Sequence, residues 1–212
     1  MTPFTVLQAV ACPLPYDNID TDQIIPARFM RKPRSVGYGQ FFLHDRRFDE
    51  AGAEIADFPL NLVPWRQARI LVTGANWGCG SSREPAVYAL KDFGIRAIIA
   101  PSFGDIHRSN AVKNGVLPVT LDRDAVERLS ARLFEQPDLT VRIDLPEGTV
   151  ECGELSFSFR IDSFSRECLL KGVDDIDLTL EHEAAIARME DRLRLTQPWS
   201  VPLAAAGADV QA

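Results

Sequence analysis

Apolar residues in the middle of this chain come in short unbroken runs separated by helical spacings. Ile70-Leu71-Val72 suits a buried strand, and a helical pattern rich in Ala, Leu and Tyr then runs to Phe93. A second apolar strand is predicted over 95–100, then a helix through Asn114 that Gly115 ends. A third strand follows over 116–121. Residues 122–135 form an amphipathic helix with Ala125, Val126, Leu129, Leu133 and Phe134 on its apolar side. Alternating strands and helices predict an α/β fold, a mixed and partly parallel sheet or barrel-like core flanked by helices.

The flanks follow other rhythms. Residues 4–11 alternate loosely as a first strand, which Cys12-Pro13-Leu14-Pro15 stops. Residues 41–68 read as irregular, with a short helix near 44–48. Beyond 138 the runs shorten to 139–145, 149–152 and 155–161, with Gly148 and Gly153 at turns, which predicts an antiparallel portion. Ser163 or Ser165 caps a helix to Lys171, ended by Gly172, and 180–195 is a last amphipathic helix. From Gln197 on, Pro, Ala and Gly predict a loose tail. The expectation is one domain over 1–195 and a tail over 196–212, without an internal repeat.

Charge and cysteine usage narrow the function classes. The chain carries 23 Lys+Arg against 30 Asp+Glu, a net charge of -7, which argues against nucleic-acid binding as its main task. No apolar run approaches a membrane span, and the N-terminus lacks the basic-then-apolar order of a signal peptide, so a cytoplasmic location is expected. Cys12, Cys79, Cys152 and Cys168 form no Cys-x-x-Cys pair, and His44, His107 and His182 lack ligand spacing. No metal is therefore expected on this chain alone. Cys79 lies in a glycine turn near a helix start, where a thiol is acidified or simply fits a tight place.

Candidate chemistry concentrates in residues 74–84. Gly74, Gly78 and Gly80 fall within seven residues, Ser81 and Ser82 follow, and Arg83-Glu84 opens the helix. Strand, glycine turn and helix N-terminus aim backbone N–H groups and the positive end of a helix dipole at one point, which binds anions. Arg83 adds a planar fork for a carboxylate, and the two serines add hydroxyls beside it. The reading is a carboxylate site with a serine base. It is not a dinucleotide loop, because the third glycine position from Gly78 is Arg83; it is not a phosphate loop, because no lysine lies here; and neither serine has the flanking glycines of a nucleophile elbow. The plainer alternative is a tight turn with serine caps and a surface arginine.

Two other stretches add candidates. Asp20, Thr21 and Asp22 sit in a loop where they either cap a short element or orient a catalytic hydroxyl or arginine. Residues 30–40 are basic and glycine-containing, a mobile loop in which Arg31, Lys32 and Arg34 meet an anionic substrate or simply face solvent.

Three ordered blocks now resemble one family. They are Asp20-Thr21-Asp22-Gln23-Ile24-Ile25-Pro26, Asn76-Trp77-Gly78-Cys79-Gly80-Ser81-Ser82-Arg83-Glu84, and Ala100-Pro101-Ser102-Phe103-Gly104-Asp105-Ile106. Together they are similar to the small subunits of 3-isopropylmalate dehydratase, which resemble the mobile C-terminal domain of aconitases; the likeness runs through nearly all of 1–195. The resemblance implies a swivelling β/β/α domain and a hydro-lyase step of leucine biosynthesis, in which 2-isopropylmalate and 3-isopropylmalate interconvert through isopropylmaleate. It implies Ser81 as base, Arg83 holding a substrate carboxylate with Ser82 and the Gly80 region assisting, and Thr21 and Asp22 lining the site. It further implies a 4Fe-4S cluster carried by a separate large subunit, a heterodimer or heterotetramer with that subunit, and a chain inactive alone. Two departures stand out: Pro85 where the family usually has histidine or glutamine, and a loop with Arg34 and Ser35 where it has Thr-Arg-Thr-Gly-Phe-Gly. Arg34 is kept as a substrate-binding candidate. Another substituted malate or maleate, or a carboxylate-binding module without catalysis, are the other readings.

Overall fold

The computed structural model describes residues 1–200, and these divide into two compact units, residues 1–174 and the segment from Asp175 onward. In the first unit the elements run β1 (Val6–Leu14), α1 (Thr21–Ile24), α2 (His44–Arg47), β2 (Ile70–Thr73), α3 (Pro85–Phe93), β3 (Ala97–Ala100), α4 (Asp105–Lys113), β4 (Leu117–Thr120), α5 (Arg123–Glu135), β5 (Thr140–Asp144), β6 (Thr149–Cys152), β7 (Leu155–Ser158) and α6 (Ser163–Lys171). The second unit holds α7 (Asp175–Leu180), α8 (Glu183–Thr196) and a 3-10 turn at Pro198–Ser200.

The seven strands form one mixed sheet in the order β4-β3-β2-β1-β5-β6-β7. β1 is the hinge between two halves. Its first half pairs antiparallel with β5, Val6 opposite Asp144 through Val10 opposite Thr140; its second half pairs parallel with β2, Ala11 opposite Ile70 through Leu14 opposite Thr73. β2, β3 and β4 continue parallel, while β6 and β7 continue antiparallel. The predicted α/β class and the change of pairing after α5 are both present. β2 and β3 are buried at every position, as strands covered on both faces must be.

β1 does not stop at Cys12 but runs on through Pro13 to Leu14. Past Val10 its β5 edge carries no partner, so a residue without an N–H is tolerated there. Pro118 sits in β4, the outermost strand, for the same reason. The α6 cap also differs from the expectation: the Asp162 carboxylate, not a serine, accepts from the Ser165 N–H at 2.9 Å. The helix expected over 180–195 is α8, which starts three residues later at Glu183; α7 precedes it, and the Glu181 and His182 N–H groups bond to carbonyls three residues back in the turn between the two. Of the predicted tail, 197–200 form the closing turn and the rest lies outside the described residues.

Residues 30–40, expected to be mobile, fold into 3-10 turns at Arg34–Val36 and Tyr38–Phe41 that pack on α3. Tyr38 is buried; its N–H donates to Asp92 Oδ2 at 3.0 Å and its hydroxyl to the Lys32 carbonyl at 2.8 Å. Gly39 lies so close to the end of α3 that a Cβ there would stand 2.6 Å from both Asp92 O and Phe93 N. These are backbone atoms of a helix and cannot step aside. Gly39→Ala is therefore expected to destabilise the chain by about 1–3 kcal/mol in urea unfolding, the usual cost of overpacking. A shift within experimental error of zero would contradict the close approach.

Candidate functional site

The chain leaves β1, β2 and β3 at the same end of the sheet, and the three departing loops lie side by side. A parallel bridge joins Asp20 to Cys79, and another joins Trp77 to Phe103. The three sequence blocks singled out above thus meet beyond the carboxyl ends of parallel strands, where open α/β sheets build their sites.

Each contact at this junction has a named cause. The Trp77 N–H donates to the Ser102 carbonyl at 3.1 Å, and the Gly104 N–H to the Trp77 carbonyl at 2.9 Å. The Gly78 N–H donates to the Ile19 carbonyl at 2.7 Å, and the Thr21 N–H to the Cys79 carbonyl at 3.0 Å. Below them Asp17 Oδ1 accepts from the Ala75 N–H at 2.7 Å, and Ser102 Oγ accepts from the Asn76 N–H at 2.8 Å. The root of the glycine turn is held by both neighbours. The turn itself uses positive φ at Asn76, Gly78 and Gly80.

Beyond Cys79 the chain comes free. Ser81 and Ser82 are exposed and non-helical. The backbone N–H groups of Gly80, Ser81, Ser82 and Arg83 find no acceptor among the described residues. α3 starts only at Pro85, so the expectation that a serine caps this helix is corrected: Glu84 holds the cap position without a side-chain bond. Proline suits this first position because its missing N–H has no intrahelical acceptor to serve. The next amides turn inward, Ala86 N–H to Arg83 O and Val87 N–H to Glu84 O. The free donors consequently belong to the loop ahead of the helix, while the helix supplies its dipole from behind.

The predicted residues sort as follows. Arg83 Nη1 donates to Asp22 Oδ1 in an ion pair between half-exposed side chains. Asp22 stands in α1, which Asp20 caps by accepting from the Gln23 N–H at 2.7 Å. Thr21 is 1 % exposed and its Oγ1 has no partner among the described residues. A Cβ placed on Gly80 would lie 3.8 Å from that oxygen, so the Thr21 hydroxyl faces the turn. Thr21, Asp22, Gly80 and Arg83 are in this way brought together, with Ser81 and Ser82 on the same loop.

Arg34 is not part of this group. Its guanidinium lies over the Tyr88 ring, 3.7 Å from the centroid, and approaches Asp92 Oδ1 at 3.9 Å, both on the flank of α3. Cys79 is not acidified: burial first, then the charge of Asp20, pushes its thiol up. The small-residue reading of Cys79 holds.

Sequence reasoning passed over His107. It sits in α4, 3 % exposed, with both ring nitrogens unpartnered among the described residues, against the backbone of Gly78. Burial lowers its imidazole to about 4, so it is neutral at pH 7. Because the folded value lies below the unfolded one, the unfolded chain takes up the proton first. Stability is full above about pH 6.5 and is expected to fall by about 3 kcal/mol as pH drops toward 4, at roughly 1.4 kcal/mol per pH unit. Urea melts from pH 7.5 to 4 check this; His107→Leu should flatten that part of the profile.

Among the described residues no group of three or more His, Cys, Asp or Glu is placed to hold a metal ion, and no helix is long and apolar enough to cross a membrane. Comparison with known proteins is consistent across three routes. The Aconitase C-terminal domain family matches residues 1–124, and the family of C-terminal domains from 3-isopropylmalate dehydratase small subunits matches residues 175–200. The 3-isopropylmalate dehydratase small subunit of Rhodospirillum centenum is 47% identical over 203 residues, covering 95% of this chain and 100% of the relative. That of Granulibacter bethesdensis is 48% identical over 201 residues, covering 94% and 96%. The crystal structure of 3-isopropylmalate dehydratase from Methanocaldococcus jannaschii superposes with a TM-score of 0.63 at 25% identity, over 87% of this chain and 99% of that one.

Proposed function

Since the chain belongs to the family of 3-isopropylmalate dehydratase small subunits, we propose that Ser81 is the base and Arg83 the carboxylate clamp of a hydro-lyase site completed by a large subunit. The chain is the small-subunit component of a hydro-lyase of leucine biosynthesis. The interconversion of 2-isopropylmalate and 3-isopropylmalate removes a proton from a carbon beside a carboxylate. The observation that carries the assignment is the loop 80–83, an exposed serine among unpaired backbone N–H groups with a guanidinium alongside.

A serine hydroxyl is a weak base in water. Donors fixed at its oxygen stabilise the alkoxide and cost no reorganisation during the reaction. The amides of 80–83, the start of α3 and the charge of Arg83 supply such donors. Arg83 commits Nη1 to Asp22, which fixes the guanidinium plane and leaves its other N–H groups for a substrate carboxylate. The Thr21 hydroxyl faces the turn from a buried position, and Ser82 adds an exposed one. Arg34 is assigned to the far end of the substrate, reached by turning its side chain away from α3. Its pair with Asp92 is long and partly exposed, the kind that contributes little and exchanges readily.

The donor set among the described residues does not fit an iron–sulfur cluster, because no group of three or more His, Cys, Asp or Glu converges, three of the four cysteines are buried and burial pushes the thiol of the fourth, Cys79, up. We assign the 4Fe-4S cluster to the large subunit, where it would supply the Lewis acidity that departure of the hydroxyl needs. Assembly as a heterodimer or heterotetramer in the cytoplasm belongs to the same proposal.

The test is reconstitution. The purified chain mixed with the large subunit is expected to form isopropylmaleate from either isopropylmalate isomer, followed by absorbance, while neither subunit alone is active. Turnover of a different substituted malate with none on isopropylmalate would move the assignment to that diacid.

A further inference from the structure

We propose that His107 is a positioning residue for the proton-transfer loop: its ring is the wedge that holds the backbone at Gly78 and, through it, the conformation of residues 80–83. The inference rests on the reading of Ser81 as base and deepens it.

Residues 80–83 have few ties of their own. Their N–H groups are unpaired among the described residues. What holds the stretch is the Arg83–Asp22 pair, the bond from the Ala86 N–H to the Arg83 carbonyl at 3.3 Å and one long contact, Asn110 Nδ2 to the Ser82 carbonyl at 3.5 Å. The conformation of the loop is therefore inherited from its root at 77–79. That root is clamped at its sides by the bonds to Ile19, Thr21, Ser102 and Gly104. From α4 it is clamped by His107.

The fit is close at two points. A methyl at Gly78, where φ is 71°, would overlap the His107 ring. A Cβ at Gly104 would stand 2.6 Å from the Gly78 carbonyl oxygen. Start of helix and glycine turn approach as near as bare backbone allows. His107 and Asn110 are three residues apart, neighbours on one helix face, and both meet the loop. With neither ring nitrogen bonded among the described residues, the imidazole works by shape and not as a proton carrier.

The test uses the reconstituted two-subunit enzyme. His107→Ala is expected to lower kcat roughly hundredfold, the effect of misplacing a reacting group by about 1 Å, while KM changes by less than about threefold. His107→Phe keeps a flat ring over Gly78 and should stay within about tenfold of wild type. Gly78→Ala alone should lose roughly hundredfold or more. In a His107→Gly background, which removes the ring and also the Cβ that would stand 2.7 Å away, the same methyl enters vacated space and should cost less than about tenfold, the residue of its left-handed backbone strain. A fold merely weakened does not show such compensation.

The proposal fails if the two substitutions multiply independently, if His107→Phe is as impaired as His107→Ala, or if the loss lies in KM. Should His107→Gly not fold, Gly78→Ala compared in His107→Ala and His107→Phe backgrounds carries the same test, with partial relief expected only beside alanine, which loses the ring but keeps the Cβ. Ser81→Ala separates the two levels. If that variant keeps full turnover, the base assignment falls whatever His107 does; if it is inactive while the compensation is absent, only the positioning role falls.

Discussion

Ser81→Ala, assembled with the large subunit, is expected to reduce turnover by roughly a thousandfold or more, with KM and affinity for the large subunit nearly unchanged. General-base groups contribute about 10²–10⁴ in rate, and a residue that acts only on the reacting proton is lost from kcat and kcat/KM alike. The substitution is well suited to the question because Ser81 is exposed and its side chain makes no hydrogen bond among the described residues, so removing one oxygen should leave unfolding within about 0.5 kcal/mol of wild type. Ser82→Ala, one residue on, is the internal control and should lose far less. Equal losses at both positions would mean that the loop, and not one hydroxyl, carries the chemistry.

The second large effect is expected at Arg83. Arg83→Lys should cost roughly a hundredfold in kcat/KM, mostly through KM. A lysine ammonium has no second edge: it either pairs with Asp22 or meets a carboxylate, whereas the proposed clamp needs the guanidinium to do both in one plane. The ion pair is partly exposed and adds little to folding, so the variant should unfold close to wild type. Steady-state kinetics on the reconstituted enzyme, beside a urea melt, separate the two outcomes. Unchanged kinetics in Arg83→Lys would return this residue to the plainer reading of a surface arginine.

Legibility of the chain varied with the range of the forces involved. Unbroken apolar runs marked β2 and β3 because strands buried on both faces leave no polar position. The i, i+3, i+7 spacing of Val126, Leu129 and Leu133 marked α5 because one helix face enters the core. Prolines misled where context overrode them: Pro13 reads as a stop, yet β1 runs through it because no strand lies on its β5 edge at that point. Serines misled in the other direction, since Ser81 and Ser82 resemble caps but precede a helix that starts at Pro85. Residues 30–40 read as a free loop because glycine and positive charge dominate locally. The burial of Tyr38 and the seat of Gly39 on α3 depend on a helix some fifty residues away, as the Tyr38–Asp92 bond shows.

By itself the amino-acid order determined the alternation of strands and helices, the glycine turn, the types of residue available for carboxylate chemistry and the lack of metal-ligand spacing. All of these are properties of neighbours along the chain. Only the tertiary structure decided that the loops after β1, β2 and β3 lie side by side, that Asp22 takes one edge of Arg83, that Arg34 rests against Tyr88 and Asp92, and that His107 fills the space under Gly78. Those contacts join residues tens of positions apart. They exist because parallel pairing brings the carboxyl ends of three strands to one edge of the sheet, a consequence of packing that no local pattern contains.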